Sequence, residues 1–492
     1  MSQIKKLAGQ TAIYGLSSII GRLLNYLLVP LYTRIFEPEA YGVVSEFYAY
    51  VTFLIVLYTY GMETAYFHFS NKHDDQHKIY SNSFSTLVLS SVLLSSVLIL
   101  FSNWIAGGLG YSDHPEYIVW FALILAFDAI TALPFAKLRQ ENKAKKFALI
   151  KIVNISTNIG LNLFFLAFLP HLTTNNFINV IYNPAIGVGY VFIANLLSSF
   201  ITLLFFYNDF KLFRWKVDMH LVKEMLVYAF PLLIAGFAGM INETLDRAIL
   251  KYLVTDKSTA LHQLGIYSAC YKLSIIMTLF VQTYRYAAEP FFFSQQKKKN
   301  SKDLYANIMN YFVFICSLIF LGVMLYMNIA KNFIGEKFHE GLKVVPILLF
   351  ANLFLGVYLN LSMWYKLSGQ TKYGAWFSIF GATITIVLNF LLIPTMGYLG
   401  AAWATFICYG AMMLISYLYG QKYYPIPYDI KLCLLLIITS VGLWQLNDFV
   451  IFHYSMGFLL SNITKLVLLF MFILFSWRLL KPSSTLKLNE EL

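Results

Sequence analysis

Charge is scarce in this chain. Only 12% of its 492 residues are Asp, Glu, Lys or Arg, where a soluble domain carries roughly 25%. Cysteine is scarce too. Cys270, Cys316, Cys408 and Cys433 all fall inside apolar runs, and no pair has metal-ligand spacing. A thiolate metal framework is therefore excluded, and the thiols are expected to act as small hydrophobes. There is no G-x-x-x-x-G-K-[ST] phosphate loop, and the longest stretch between apolar runs is about 20 residues. That leaves no room for an ATPase or glycosyltransferase domain. The nine histidines are scattered and assemble no Ser–His–Asp or metal cluster. Asp74-Asp75, flanked by Lys72, His73 and His77, reads as a solvated turn rather than a sugar-nucleotide site. No catalytic residue, metal or cofactor is expected, and the chain is not read as an enzyme.

What is present in quantity is hydrocarbon. Hydrophobic residues make up 59% of the chain, and its mean hydropathy is +0.65. No single soluble core could hide that much apolar surface. Long apolar runs recur from end to end, so the fold class is an all-α polytopic membrane protein. Fourteen spans are predicted, at 8–33, 42–66, 82–104, 116–136, 146–169, 186–207, 225–250, 263–288, 305–329, 344–365, 373–393, 398–420, 431–449 and 457–479. The first is read as a retained span, because no small-residue cleavage site follows it.

The net charge of +12 would suit nucleic acid, but its distribution says otherwise. Alternate loops, together with both termini, hold 24 Lys and Arg, and the opposite loops hold 6. Positive loops face the cytoplasm. Both termini are expected there, and no nucleic-acid partner is implied.

The chain also repeats. Gly42, Ser45 and Tyr48 match Gly265, Ser268 and Tyr271 in a G-x-x-S-x-x-Y pattern 223 residues on. Leu161-Asn162 matches Leu388-Asn389, and the run from Gly187 to Asn195 matches Gly397 to Thr405. A polar insertion around residues 171–176 accounts for the change in offset. Six spans per copy is an even number, so the copies enter from one side, as in parallel-repeat transporters. The expected organisation is two pseudo-symmetric six-helix lobes, 1–210 and 211–424, with two appended helices and a cytoplasmic tail in 425–492.

Polar residues inside the spans form stripes. Span 1 carries Thr11, Gly15, Ser18, Arg22 and Asn25 at helical spacing. Span 5 carries Lys151, Asn154 and Asn158, and span 7 carries Gly236, Gly239, Glu243 and Asp246 beside Arg247. Span 8 carries Thr278, Gln282, Arg285 and Glu289, with Lys272 near them. Span 2 adds Glu46 and Glu63, and span 4 adds Asp128. Each has a plain structural reading. Glu63, Arg285 and Glu289 can snorkel to water, Asp246 and Arg247 can form a local ion pair, Asp128 can bond a neighbouring helix, and Glu46 can pair with a nearby base. A Lys or Arg at mid-bilayer costs about 2.5–3.5 kcal/mol on insertion scales. Arg22, Lys151 and Lys272 are therefore expected to line an aqueous cavity that attracts an anion, and lipid-linked phosphate is a natural one. Glu46, Glu243 and Asp246 are the candidates for ion coupling, which would need a carboxylate pKa raised by burial.

These residues resemble the multidrug/oligosaccharidyl-lipid/polysaccharide exporter superfamily, and within it the O-antigen-type polysaccharide flippases. The marks are RLLNYLLVPLYTR (22–34) running into Tyr41-Gly42, LRQENKAK (138–145), AFPLL (229–233), Asp246-Arg247, GIYS (265–268) and GYLGAA (397–402). The resemblance implies no ATPase activity. It implies export of undecaprenyl-diphosphate-linked oligosaccharide across a bacterial inner membrane by alternating access. Membrane lipids and polysaccharide polymerase or assembly proteins are the implied partners. Arg22 and Lys272 match basic positions of the family, and spans 13 and 14 match helices that form a lipid-tail groove in the related lipid II flippases. Two rival readings are a multidrug/cation antiporter of the same superfamily and a membrane polysaccharide polymerase or ligase.

Overall fold

The structure is a computed structural model that describes residues 23–24, 26–72, 74–172, 182–215, 217–296, 300–454 and 457–480. Among them there is no strand. A lipid-embedded backbone must satisfy its own polar groups, and helices do so within one segment. The elements are α1 (Val29–Ile35), α2 (Pro38–Thr59), α3 (Met62–Lys72), α4 (Gln76–Leu100), α5 (Ser102–Leu109), α6 (Glu116–Gln140), α7 (Ala144–Asn162) and α8 (Gly189–Leu204). They continue as α9 (Met219–Leu253), α10 (Ala260–Leu273), α11 (Ile275–Gln295), α12 (Ser301–Leu325), α13 (Val345–Leu361) and α14 (Met363–Leu367). The last four are α15 (Lys372–Met396), α16 (Tyr398–Tyr423), α17 (Ile430–Tyr454) and α18 (Phe458–Leu480).

Eleven of the described helices are long and apolar enough to cross a membrane, or twelve if α10 and α11, bent by 51° at Ser274, make one span. The protein is a multi-pass membrane protein. The predicted total of fourteen is not reached among the described residues. The sixth predicted span is the shorter helix α8, of 16 residues, and most of 8–33 lies outside the described residues, as do Arg22 and Asn25.

Local sequence sets the boundaries. Pro38 opens α2 at a position that needs no donor. Tyr60 and Gly61, both with positive φ (32° and 73°), break the second span into α2 and α3. Gly61 carries that turn because it has no Cβ to clash. Asp75 caps α4 by accepting from the Lys78 N–H at 2.8 Å, and Asp218 caps α9 by accepting from Leu221.

The chain divides into two compact units, Met1–Ser268 and Ala269–Leu492. In the first, α2, α6 and α8 meet through aromatic rings. Phe47 stacks on Phe121 at 5.1 Å, and Phe192 lies edge-on to Phe121 at 4.7 Å. Serines let α4 pack closely: Ser95 donates to the Ala122 carbonyl at 2.7 Å and pairs with the Tyr58 hydroxyl at 2.9 Å. In the second unit, Trp364, only 1% exposed, packs with Tyr365 and Phe377 among α13, α15 and α16.

Repeat-related positions behave alike. Asn162 and Asn389 are both fully buried, and each donates its amide nitrogen to the carbonyl four residues earlier, at 2.8 and 2.7 Å. Within the first unit the glycines that open the two G-x-x-S-x-x-Y patterns touch. A Cβ on Gly42 would overlap the Leu261 carbonyl oxygen, and one on Gly265 would overlap that of Pro38. His262 Nδ1 lies 2.7 Å from Glu39 Oε1, its own counterpart 223 residues earlier. Such reciprocal contact is the signature of a two-fold interface.

Candidate functional site

Polar side chains in the first unit fall into two groups. One follows the span-5 stripe. Lys151 on α7 places its ammonium 4.2 Å from the centre of the Phe135 ring and lies within electrostatic reach of Asp128. Asp128 sits at the midpoint of α6, where it is exposed and accepts a 2.7 Å hydrogen bond from Ser199 on α8. This is the helix-to-helix bond foreseen for it. Asn154 donates to the Ser198 carbonyl at 3.1 Å and to Thr202 Oγ1 at 2.8 Å. Asn158 accepts from Asn162 at 2.9 Å, and Asn162 in turn accepts from the Tyr32 hydroxyl at 2.8 Å. The stripe is thus a seam joining α7 to α8 and α1, with one cation in it. A charge at mid-span normally faces protein or water; Lys151 is partly exposed.

The other group gathers at the opposite end of α2 from the Tyr60–Gly61 break. Glu46 is completely buried and pairs with Lys251 of α9 at 3.1 Å. It also accepts from Tyr50 and Tyr111 at 2.5 Å each and from Tyr252 at 3.3 Å. Lys251 donates a further 2.7 Å bond to the Leu109 carbonyl at the end of α5 and lies 4.2 Å from the Tyr111 ring centre. One ammonium and three phenols therefore share the carboxylate, the condition under which a buried ion pair is tolerated. Two turns earlier on α9, Glu243 is exposed, while Asp246 is buried and accepts from Tyr267 at 2.5 Å. Arg247 Nε lies 3.4 Å from Asp246 Oδ1, and its guanidinium donates to the Glu243 carbonyl.

In the second unit Arg285 is the central residue of α11, and its side chain is 54% exposed. It lies 3.7 Å from Glu289, which also receives Lys366 of α14 at 2.9 Å. Two cations thus share one carboxylate, beside Asn360, which donates to the Tyr284 hydroxyl at 2.7 Å. Lys272 lies two residues before the bend at Ser274 and is partly exposed.

The structure therefore brings Lys151, Asn154 and Asn158 onto one seam, and Glu243, Asp246 and Arg247 onto one segment of α9. Glu46 joins that helix through Lys251. Lys272 and Arg285 belong to the other unit. Sequence reasoning placed Lys251 and Lys366 in loops and so missed both. The available signal was spacing: Glu243, Arg247 and Lys251 recur every four residues on one face of α9. The same spacing ran past the predicted end of the span at 250.

Loop ends outside the spans carry ordinary surface pairs. Lys78 lies 2.8 Å from Asp218, and that hydrogen bond holds the Asp218 carboxyl below the usual carboxylate range, helped by the Leu221 N–H.

Known proteins resemble the chain in sequence and in fold. The chain is 22% identical to the capsular polysaccharide biosynthesis protein CapF of Staphylococcus aureus over 413 residues, covering 82% of this chain and 97% of that one. Its fold matches the lipid II flippase MurJ in an inward closed conformation, with a TM-score of 0.74 at 15% identity over 94% of this chain and 98% of that one. It also matches an inward-facing multidrug resistance MATE transporter of the MOP superfamily, with a TM-score of 0.61 at 13% identity over 84% and 94%. Residues 7–296 match the polysaccharide biosynthesis protein family. With that match over more than half its length, the chain belongs to the polysaccharide biosynthesis protein family and carries the fold of the MOP exporter superfamily.

Proposed function

We propose that the protein flips undecaprenyl-diphosphate-linked oligosaccharide from the cytoplasmic to the outer leaflet of a bacterial inner membrane, for O-antigen-type surface polysaccharide. Both termini lie in the cytoplasm, and two six-helix lobes alternate access to the site. The observation that carries this reading is Arg285: a half-exposed guanidinium midway along α11, with Lys366 and a single shared carboxylate beside it. Such a group has positive charge to spare for an anion, and a guanidinium fork fits phosphate.

In this reading Arg285, Lys272, Lys151 and Arg22 hold the diphosphate, while Arg247, the asparagines Asn25, Asn154 and Asn158 and nearby aromatics contact sugar or phosphate. The lipid tail stays in the bilayer. The diphosphate carries about two negative charges, and a cytoplasm roughly 100 mV negative favours moving them outward by at most about 4.6 kcal/mol. No coupled ion is then required.

The test is export of lipid-linked oligosaccharide in cells and in vesicles holding the purified protein. Arg285→Ala and Arg22→Ala should stop export and leave lipid-linked intermediate on the cytoplasmic leaflet, with expression intact. Full export by Arg285→Ala rules out its role. Cation-dye efflux by the purified protein would favour the antiporter reading, and sugar transfer by it would favour a polymerase or ligase.

A further inference from the structure

A cavity of about 630 Å³ lies inside the first unit, next to the Glu46–Lys251 pair. Its walls come from α2, α4, α5, α6 and α9. Phe53, Leu98, Phe121, Leu245 and Ile249 are representative of the lining, and the only side-chain polar atoms there are the hydroxyls of Tyr50 and Tyr252. Those hydroxyls are 2.7 Å apart and both point at Glu46, so they are already engaged. A water in the cavity would find too few partners, and apolar cavities stay dry or take apolar guests.

Three observations fix the guest. The first is place: the α4–α5 corner beside the cavity carries Leu100 and Trp104, exposed to 77% and 79%. An exposed Trp at a span end marks the headgroup level of a bilayer, so the cavity lies one step below it, among the first carbons of lipid chains. The second is size. A dry cavity of about 150 Å³ holds a benzene, roughly 25 Å³ per carbon, so this one holds about 25 carbons. An acyl chain of roughly 16–18 carbons fits; an undecaprenyl chain of about 55 does not. The third is chemistry: the phenols at one edge are already engaged with Glu46 and each other and leave no anion site, which suits a hydrocarbon chain and not a diphosphate.

We propose that this cavity is a binding site for one acyl chain of a membrane phospholipid. The chain enters past Gly108 and lies between α2 and α9, bridging the two helices that Glu46 and Lys251 tie together. It is distinct from the substrate site, and it makes the bilayer's own lipid a ligand of this conformation.

The test uses the full-length protein in nanodiscs with a phospholipid carrying a diazirine midway along one chain. Labelling of Phe53, Leu98 and Leu245 should exceed labelling of the exposed face at Phe390 and Leu391 by about tenfold, which is 1.4 kcal/mol of preference. It should also saturate as the labelled fraction rises, whereas contact with bulk lipid rises in proportion. A Cβ on Gly108 meets nothing within 4 Å, so Gly108→Leu fills the entrance without a backbone clash and should bring the labelling down to that of the exposed face. Unsaturable labelling equal to that of the exposed face overturns the proposal. So does labelling that Gly108→Leu leaves unchanged. Labelling by a diazirine-bearing polyprenyl phosphate but not by the phospholipid would assign the cavity to a substrate tail instead. Saturation is read on the wild-type protein, so the answer does not depend on the variant folding.

Discussion

Gly42 and Gly265, equivalent positions of the internal repeat, lie backbone to backbone where α2 crosses α10. The crossing is reciprocal: Gly42 faces the Leu261 carbonyl as Gly265 faces that of Pro38. The contact follows the 223-residue offset of the repeat. Its two copies use the same surface patch on each other, as protomers of a symmetric dimer do.

A methyl at either glycine forces the two helices apart. Gly42→Ala and Gly265→Ala should each lower stability by about 1–3 kcal/mol, the usual range for overpacking. The double variant should lose less than the two single losses combined, because one displaced helix relieves both clashes. Thermal unfolding of the purified protein in detergent checks this. Full additivity would mean the two positions do not share a contact.

Removing one partner of the Glu46–Lys251 pair leaves the other charge buried. Lys251→Met should destabilise by about 3–5 kcal/mol, and Glu46→Gln combined with Lys251→Met should recover part of it. Tyr111→Phe removes a hydrogen bond to a charged group and should cost about 1.5–3 kcal/mol. Unfolding midpoints of the four proteins test the ranking.

Lys151 separates a structural role from a binding role. If its ammonium touches the diphosphate, Lys151→Ala should lower export by about 10–100-fold, the effect of losing one charge-assisted hydrogen bond. Lys151→Arg should retain most of it. Initial export rates against substrate concentration, with protein levels matched, decide the matter.

The Asp218–Lys78 pair gives a pH dependence. Folding depresses the Asp218 pKa, so the pair's contribution is present above the unfolded value of about 3.9 and is lost as pH falls through the lower folded value. Asp218→Asn keeps a good helix cap but drops the ion pair. The midpoint difference between wild type and this variant should hold steady from pH 7 to about 5 and close below about 4. Thermal scans across that range check it.

Much of this architecture could be read in advance because apolar length and helical spacing are local properties. The spans fall close to their predicted places: 225–250 lies within α9, and 431–449 lies within α17. Asp246 with Arg247, and Asp128 with a neighbouring helix, are paired as their positions suggested. Partners distant in the chain could not be read. Glu46 meets Lys251 across 205 residues, and nothing local says which base answers which acid. A helix carrying its stripe past the membrane boundary also defeated the division into spans and loops, because a 35-residue helix such as α9 exceeds the roughly 20 residues that a bilayer requires.

The distance between Glu46 and Lys251 has a consequence for biosynthesis. At about 5–20 residues per second, the ribosome needs roughly 10–40 s to travel the 205 residues from one to the other. During that interval α2 is already made and its carboxylate has no ammonium to meet. Tyr50 and Tyr111, both made well before α9, are the partners that can hold the carboxylate until then, so the network around Glu46 is completed only when Lys251 is inserted.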